Sequence, residues 1–214
     1  MENKPYRTLL TASREEWVIN KSRFICYGSP AQTEEEALEF IRRVRSVHPD
    51  ASHNCYAYAI GANMGIMRYS DDGEPGGTAG MPIMEVIKNR QVTNCAVVIT
   101  RYFGGVLLGA GGLVRAYSKS ASVAIDACGV GTMYPTARCF VEIAYSLLGR
   151  TEYILKSQPV NVEEKSFTDK VTLTLTVRER DEESVLKSLT EGLDGKVEAL
   201  HAETFFAPWR EEEN

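Results

Sequence analysis

The chain has 214 residues, of which 43% are hydrophobic and 25% charged, as in an ordinary globular protein with one large or two small domains. No window approaches the roughly 18 apolar residues needed to cross a bilayer, and the first residues lack a secretory signal pattern, so a cytoplasmic protein without membrane association is predicted. Residues 1–135 carry 14 basic and 13 acidic side chains, whereas residues 136–214 carry 10 and 16. If a nucleic acid is bound, the first part of the chain is the better candidate, because phosphate neutralisation supplies much of such affinity.

The cysteines and histidines predict neither a disulfide framework nor a dedicated metal centre. Five cysteines are scattered without a C-x-x-C pair, which indicates reduced thiols. His48, His53 and His201 lie far apart in the sequence and near no cysteine cluster, so a zinc site is not expected. A metal bound by carboxylates is left open.

The first part of the chain predicts mixed strands and helices. A helix over 33–47 begins with the capping box Thr33–Glu36, and Thr78 is expected to cap a later helix. A continuous apolar run at 95–103 is typical of a central buried strand. The predicted strands are 6–11, 17–27, 54–60, 66–70 and 95–103, and the predicted helices are 33–47, 79–90 and 112–128.

The second part begins after a predicted linker near residues 129–135, which gives two domains, 1–134 and 135–214. Strands are expected at 138–145, 160–167, 170–179 and 196–206, and helices at 147–157 and 182–192. This βαββαβ order is that of a ferredoxin-like sandwich. The acidic tail Glu211–Asn214 is expected to be frayed.

An acidic loop, Asp71–Thr78, is the first segment that can carry chemistry. It places Asp71, Asp72 and Glu74 within four residues, among Gly73, Gly77 and Thr78. One interpretation is a divalent cation site, for example for Mg²⁺, or a cluster that meets an arginine-bearing partner. The alternative is a turn in which the aspartates cap backbone amides and Glu74 pairs with a nearby arginine.

A glycine-rich segment over 101–117 is the second candidate. Several glycines between a buried strand and a helix leave backbone amides bare at a helix N-terminus, where anions and phosphates bind. The spacing matches neither a P-loop nor a dinucleotide-binding fingerprint, and the alternative role of the glycines is close helix packing. The candidate phosphate- or nucleic-acid-binding residues are Lys21, Arg23, Arg101, Tyr102, Gly104, Gly105, Gly109, Gly111, Gly112, Arg115 and Lys119.

A histidine supplies a weaker candidate. His53, next to Asn54 and just before a strand, has the chemistry of a general base, but a lone histidine without an identified partner is more often structural. No serine or cysteine lies in a nucleophile elbow. The sequence therefore assigns no catalytic residue.

Two motifs give the chain a specific resemblance. YSDDGEPxGTAGxP over residues 69–82 and RYFGGxxLGxGGLxRAY over 101–117 resemble the signature of the IMPACT family, also called YigZ-like, and KSRF at 21–24 and HN at 53–54 fit it as well. The resemblance covers most of residues 1–130 and implies an α+β protein of two domains. The first would have the fold of the second domain of ribosomal protein S5. The second would be a ferredoxin-like domain resembling one of elongation factor G, as in bacterial members.

The resemblance implies a regulator associated with translation that contacts RNA, a ribosomal assembly or translation factors through the glycine-rich face. The rival hypothesis is an enzyme for a small phosphorylated or nucleotide ligand with a divalent cation, since a carboxylate loop accompanies an anion-binding segment. A third is a protein-interaction module that acts through the acidic C-terminal domain. We also predict that the two motif segments line one cleft.

Overall fold

The computed structural model describes residues 4–209, so the predicted frayed tail lies outside the described residues. Two compact units are present. Residues 6–132 form the N-terminal unit, and the described residues from 133 onward, with Lys4 and Pro5, form the C-terminal unit. No helix in the described part of the chain is both long and apolar enough to cross a membrane.

The N-terminal unit is an antiparallel sheet between helices. Its strands follow the order β2-β3-β6-β4-β5. The elements are β1 (Tyr6–Leu9), β2 (Ser13–Ile19), β3 (Ser22–Pro30), α1 (Glu34–Val47), β4 (His53–Ile60), β5 (Ile66–Ser70), α2 (Gly80–Asn89), β6 (Cys95–Tyr102) and α3 (Gly109–Cys128).

Both faces of this sheet are buried, because alternate residues of its strands pack against different helices. On β6, Val97 and Ile99 belong to a core shared with α2 and α3, while Ala96 and Val98 belong to a second core under α1. The continuous apolar run of this strand is explained by that two-sided burial. The side chain of Arg101 continues the first of these faces, toward α2 and α3.

The C-terminal unit has the predicted ferredoxin-like arrangement. Its four antiparallel strands follow the order β10-β7-β9-β8, and two helices cover the face that carries Cys139, Val141 and Ile143. The elements are β7 (Val130–Ile143), α4 (Leu148–Leu155), β8 (Val160–Phe167), β9 (Val171–Arg178), α5 (Glu182–Gly192) and β10 (Glu198–Pro208), with short 3-10 turns at Tyr145–Leu147 and Glu179–Asp181.

Three local predictions were wrong. The strand expected at 17–27 is a hairpin of β2 and β3, because Asn20 and Lys21 adopt positive φ values of 46° and 63°, as a two-residue turn requires. The expected linker at 129–135 lies almost entirely within β7. Thr78 does not cap α2: its hydroxyl donates to the Pro75 carbonyl, and Asp71 accepts from the helix amides instead.

Candidate functional site: a glycine-lined cleft

Asp71 secures the start of α2. Its Oδ1 accepts hydrogen bonds from the amides of Ala79 and Gly80 at 3.0 and 2.8 Å, and its Oδ2 accepts from Gly77 at 2.8 Å. Burial opposes ionisation of this carboxyl, but the three amide donors outweigh that effect and hold its pKa below the ordinary value. The carboxylate is thus engaged in holding the loop against the helix.

Asp72 and His53 form the next part of the loop. Asp72 pairs with Arg45 through Oδ1 and accepts from the Asn54 amide at 2.6 Å through Oδ2. Its backbone oxygen lies 2.9 Å from His53 Nδ1. Since a carbonyl only accepts, Nδ1 carries a proton, and in the neutral ring Nε2 is the acceptor. That nitrogen lies 3.9 Å from Glu74 Oε2.

Glu74 is the buried centre of the site. Its side chain is 3% exposed, and its Oε1 accepts from Arg101 Nη1 at 2.6 Å and from the Tyr117 hydroxyl at 2.8 Å. The Arg101 side chain is 5% exposed, its guanidinium carbon lies 5.5 Å from the ring centroids of both Phe24 and Phe103, and its Nη2 donates to Ser22 at 3.3 Å. Its Nε is buried and has no hydrogen-bond partner among residues 4–209. This ion pair links the acidic loop, β6 and α3.

The three carboxylates of the loop therefore have separate protein partners. Within residues 4–209 they do not form a group whose oxygens converge on one point. A divalent cation here would have to displace an amide or an arginine, unless it arrived already bound to a ligand's phosphates. These contacts are those expected for a structural turn: both aspartates accept hydrogen bonds from backbone amides, and Glu74 pairs with an arginine.

Different constraints act on the glycines of the glycine-rich segment: some positions lack room for a Cβ, and others have positive φ. A Cβ on Gly104 would lie 2.0 Å from the carbonyl carbon of Lys21, so this position is required by close packing of the β2–β3 turn. Gly105 and Gly109 have φ values of 81° and 68°, which side chains rarely adopt. Gly111 has ordinary φ, and a Cβ there would meet only the tip of Arg115 at 3.6 Å. Packing and conformation explain the first three glycines but not Gly111.

Helix α3 begins at Gly109, three residues before its predicted start, so Gly109, Gly111 and Gly112 all lie in its first turn. The amides at the start of a helix lack carbonyl partners within it and carry partial positive charge. Gly109, Ala110 and Gly111 are solvent-exposed. The start of α3 therefore presents backbone donors to solvent at residues that carry no side chain or only a methyl group.

The two motif segments meet in space. A cavity of about 370 Å³ is lined on one side by His53, Gly73 and Glu74 and on another by Leu108 and Gly109, with Arg101 between them. This geometry agrees with the expectation of a single cleft. We call the cavity and the exposed start of α3 beside it the glycine-lined cleft.

The basic candidates are divided between two faces of the sheet. Arg115 and Lys119 are exposed on α3, where the Lys119 ammonium lies 4.3 Å from the Trp17 ring centroid. Arg23 pairs in register with Tyr102, and both side chains lie on the α1 face, with Arg23 4.9 Å above the Tyr102 ring and ion-paired to Glu16. Arg101, expected to hold phosphate, is instead buried against Glu74.

The sequence interpretation missed an exposed apolar rim. Leu107 is 84% exposed and Phe103 is 48% exposed, and both line the cavity. Tyr117 entered the sequence analysis only as the last residue of the second motif, yet its hydroxyl donates to Glu74 and completes the buried cluster. Phe103 and Tyr117 belong to the second motif, and Leu107 lies in the loop between β6 and α3, but the motif alone does not say which of these side chains is exposed.

Fold and site together define an α+β protein of two units, the first of which has a cleft beside the exposed N-terminus of a helix. The model of the Impact N-terminal domain matches residues 20–125, and that of a domain of unknown function, DUF1949, matches residues 141–196. The chain belongs to the IMPACT family.

Relatives and solved structures agree with this assignment. The chain is 40% identical over 198 residues to the IMPACT family member YvyE of Bacillus subtilis, covering 92% of this chain and 91% of that protein. It is 37% identical over 139 residues to the IMPACT family member YigZ of Escherichia coli, covering 64% and 68%. A crystal structure described as that of a hypothetical protein matches 93% of this chain and 98% of its own, with a TM-score of 0.61 and 29% identity.

Proposed function

We propose that this protein is a translation-associated regulator that binds RNA, free or within a ribosomal assembly, through the glycine-lined cleft. The observation that carries the proposal is Gly111. A glycine in the middle of a helix is destabilising by roughly 0.5–1 kcal/mol relative to alanine. Gly111 lies in the first turn of α3, and neither packing nor φ requires a glycine there. A ligand backbone that approaches the start of α3 supplies the missing reason.

The surroundings of the cleft suit a nucleic acid strand. Amides at the start of α3 and the exposed Arg115 and Lys119 offer phosphate contacts, while Phe103 and Leu107 offer surfaces for bases to stack on. The translation role itself rests on membership of the IMPACT family. We also infer a cytoplasmic location, because all five cysteines are free thiols.

The test is fluorescence anisotropy with labelled single-stranded and double-stranded RNA at salt concentrations between about 50 and 200 mM, over which phosphate-driven affinity falls steeply. We expect Arg115→Ala combined with Lys119→Ala to weaken binding. We also expect the slope of log affinity against log salt to become shallower by about 0.7–0.9 for each lost phosphate contact. The matched control is Arg42→Ala combined with Arg43→Ala, an equal charge change on α1, across the sheet from α3.

A Gly111→Ala variant adds a test that charge cannot mimic. The methyl group fits the folded protein, so stability should hold or rise, while RNA affinity should fall because the strand can no longer approach the amides. Salt-independent binding, or equal losses in the α1 control, would contradict the proposal.

A small phosphorylated or nucleotide ligand is the second candidate, favoured by the cavity within the cleft. Its volume of about 370 Å³ suits a small molecule, and His53, which lines the cavity, is oriented by the Asp72 carbonyl so that Nε2 is the acceptor nitrogen of the neutral ring. A Mg²⁺ ion would enter with the ligand's phosphates. A thermal-shift screen with nucleotides and Mg²⁺ together, repeated with His53→Gln, tests this: stabilisation of the wild type by a nucleotide without any RNA binding would favour it.

A further inference from the structure

Three potential metal ligands meet in the C-terminal unit, although 43 and 19 residues separate them along the chain. Cys139 on β7 and His201 on β10 are direct cross-strand partners in the antiparallel register. Cys139 points into the core covered by the helices, and Glu182 is the first residue of α5. The pairing of β7 with β10 and the placement of α5 over the sheet therefore bring a thiol, an imidazole and a carboxylate together.

These side chains are already in contact. The Cys139 thiol donates to Glu182 Oε1 at 3.2 Å, and the same oxygen lies 2.7 Å from His201 Nδ1. One ligand atom from each residue lies within 4.8 Å of the other two, and within residues 4–209 no other trio of His, Cys, Asp or Glu side chains does so. Cys139 is buried, Glu182 is partly buried and His201 is 46% exposed, so the cluster is open to solvent on one side.

The spacing suits zinc. Tetrahedral zinc with bonds of about 2.0–2.3 Å holds its ligand atoms roughly 3.4–3.6 Å apart. The two separations from Glu182 Oε1, 3.2 Å to Cys139 and 2.7 Å to His201, require these pairs to open by less than about 1 Å, and the ligand atoms of Cys139 and His201 lie within 4.8 Å of each other. Sulfur, nitrogen and carboxylate oxygen are the ligand types that zinc prefers.

We propose that Cys139, Glu182 and His201 form a mononuclear zinc site whose fourth position is open to water or an external ligand. The solvent-exposed side of the cluster, at His201, provides the entry path and room for that fourth ligand. Cys139 binds as the thiolate, so one proton leaves the thiol for solvent when the metal enters. His201 binds through Nδ1, and its ring proton moves to Nε2.

Thr204 can supply the hydrogen-bond acceptor that a metal-bound His201 requires. Metal-bound histidines usually donate their other N–H to an acceptor that fixes the ring. His201 Nε2 lies 3.4 Å from the Thr204 hydroxyl, which can accept in this way. The two residues share a face of β10 despite their odd spacing, because a β-bulge between His201 and Glu203 inserts one residue. Bulges often re-aim side chains beside functional sites.

The thiol proton is the main obstacle to binding. Burial, and after it the neighbouring Glu182, raise the pKa of Cys139 to about 12. Zinc offsets this because a coordinated thiol is deprotonated outright.

The test is cobalt and zinc titration of the full-length protein, freed of any affinity tag and stripped with a chelator. Cobalt serves as the probe because thiolate ligation produces a charge-transfer band. We expect one metal ion per chain, a thiolate-to-cobalt band that zinc displaces, and thermal stabilisation by zinc. Cys139→Ala and His201→Ala should each lower zinc affinity by more than the 10–100-fold typical of lost outer contacts, and Thr204→Val should lower it by about that amount.

Two controls keep the outcome decisive. Cys128→Ala removes a buried thiol from the N-terminal unit and should leave metal binding unchanged. Circular dichroism without metal shows whether each variant is folded, and Cys139→Ser replaces Cys139→Ala if the alanine variant is not. Cobalt binding without the thiolate band, or equal zinc affinity in wild type and a folded Cys139 variant, would overturn the proposal and leave the trio as a hydrogen-bonded cluster.

Discussion

Removing the Arg101 side chain should destabilise the N-terminal unit by several kcal/mol. Arg101→Met keeps much of the aliphatic volume but removes the shortest hydrogen bond to the Glu74 carboxylate, which is 3% exposed and still accepts from Tyr117 at 2.8 Å. Breaking a buried ion pair by deleting one partner typically costs about 3–5 kcal/mol, because the remaining charge stays desolvated. Replacing both partners costs less. We therefore expect Arg101→Met with Glu74→Gln to be destabilised by less than the sum of the single variants, with a coupling energy of at least about 2 kcal/mol.

The assay is urea unfolding followed by the fluorescence of Trp17, whose ring stacks on Phe24 with centroids 5.3 Å apart beside Arg101. A Trp209→Phe background removes the tryptophan of the C-terminal unit, so the signal reports one unit alone. A cost below about 1 kcal/mol for Arg101→Met, or strictly additive variants, would refute the argument. The result also bears on function, because lost ligand binding in an Arg101 variant would reflect damage to the cleft rather than a lost phosphate contact.

Two further predictions concern the loops around the cleft. Gly104→Ala should be strongly destabilising, since its Cβ would lie 2.0 Å from the Lys21 backbone, while Gly76→Ala, with nothing within 4 Å, should change the unfolding midpoint little; thermal unfolding of both variants compares them directly. Asp71→Asn should cost about 0.5–2 kcal/mol at pH 7. Because the pKa of Asp71 is lower in the folded state, its ionised form stabilises the protein above the unfolded pKa of about 3.9, and this advantage should vanish as pH falls through the folded value. The measurement is the free energy of unfolding of the wild type and of Asp71→Asn across a pH series. Curves that do not converge at acid pH would contradict this assignment.

The sequence predicted most elements of the fold because their signals are local. Thr33 accepts from the Glu36 amide at 3.2 Å as the N-cap of α1, as its capping box predicts. The βαββαβ order likewise predicted the C-terminal sandwich, since strand and helix periodicities are read within short windows. The hairpin at Asn20 and Lys21 was missed, because no glycine marks a turn made by two residues of positive φ.

The sequence located the candidate sites but did not predict how their side chains are oriented. The motifs indicated the acidic loop and the glycine-rich segment, but not that Arg101 turns inward to Glu74 while Leu107 turns outward. Arg101 lies near the end of β6 and Leu107 lies in the loop that follows it. Whether each side chain is buried or exposed depends on the elements that pack against this end of the strand.

Periodicity by itself predicted most strands and helices and the βαββαβ order, and the resemblance carried by the two motifs predicted the family and its α+β fold of two domains. Only tertiary structure decided which charges are buried, which glycines are needed for packing, and which distant residues become neighbours. Cys139, Glu182 and His201 illustrate the physical reason: an antiparallel register and the seating of one helix bring them together, and neither is encoded in any short stretch of sequence.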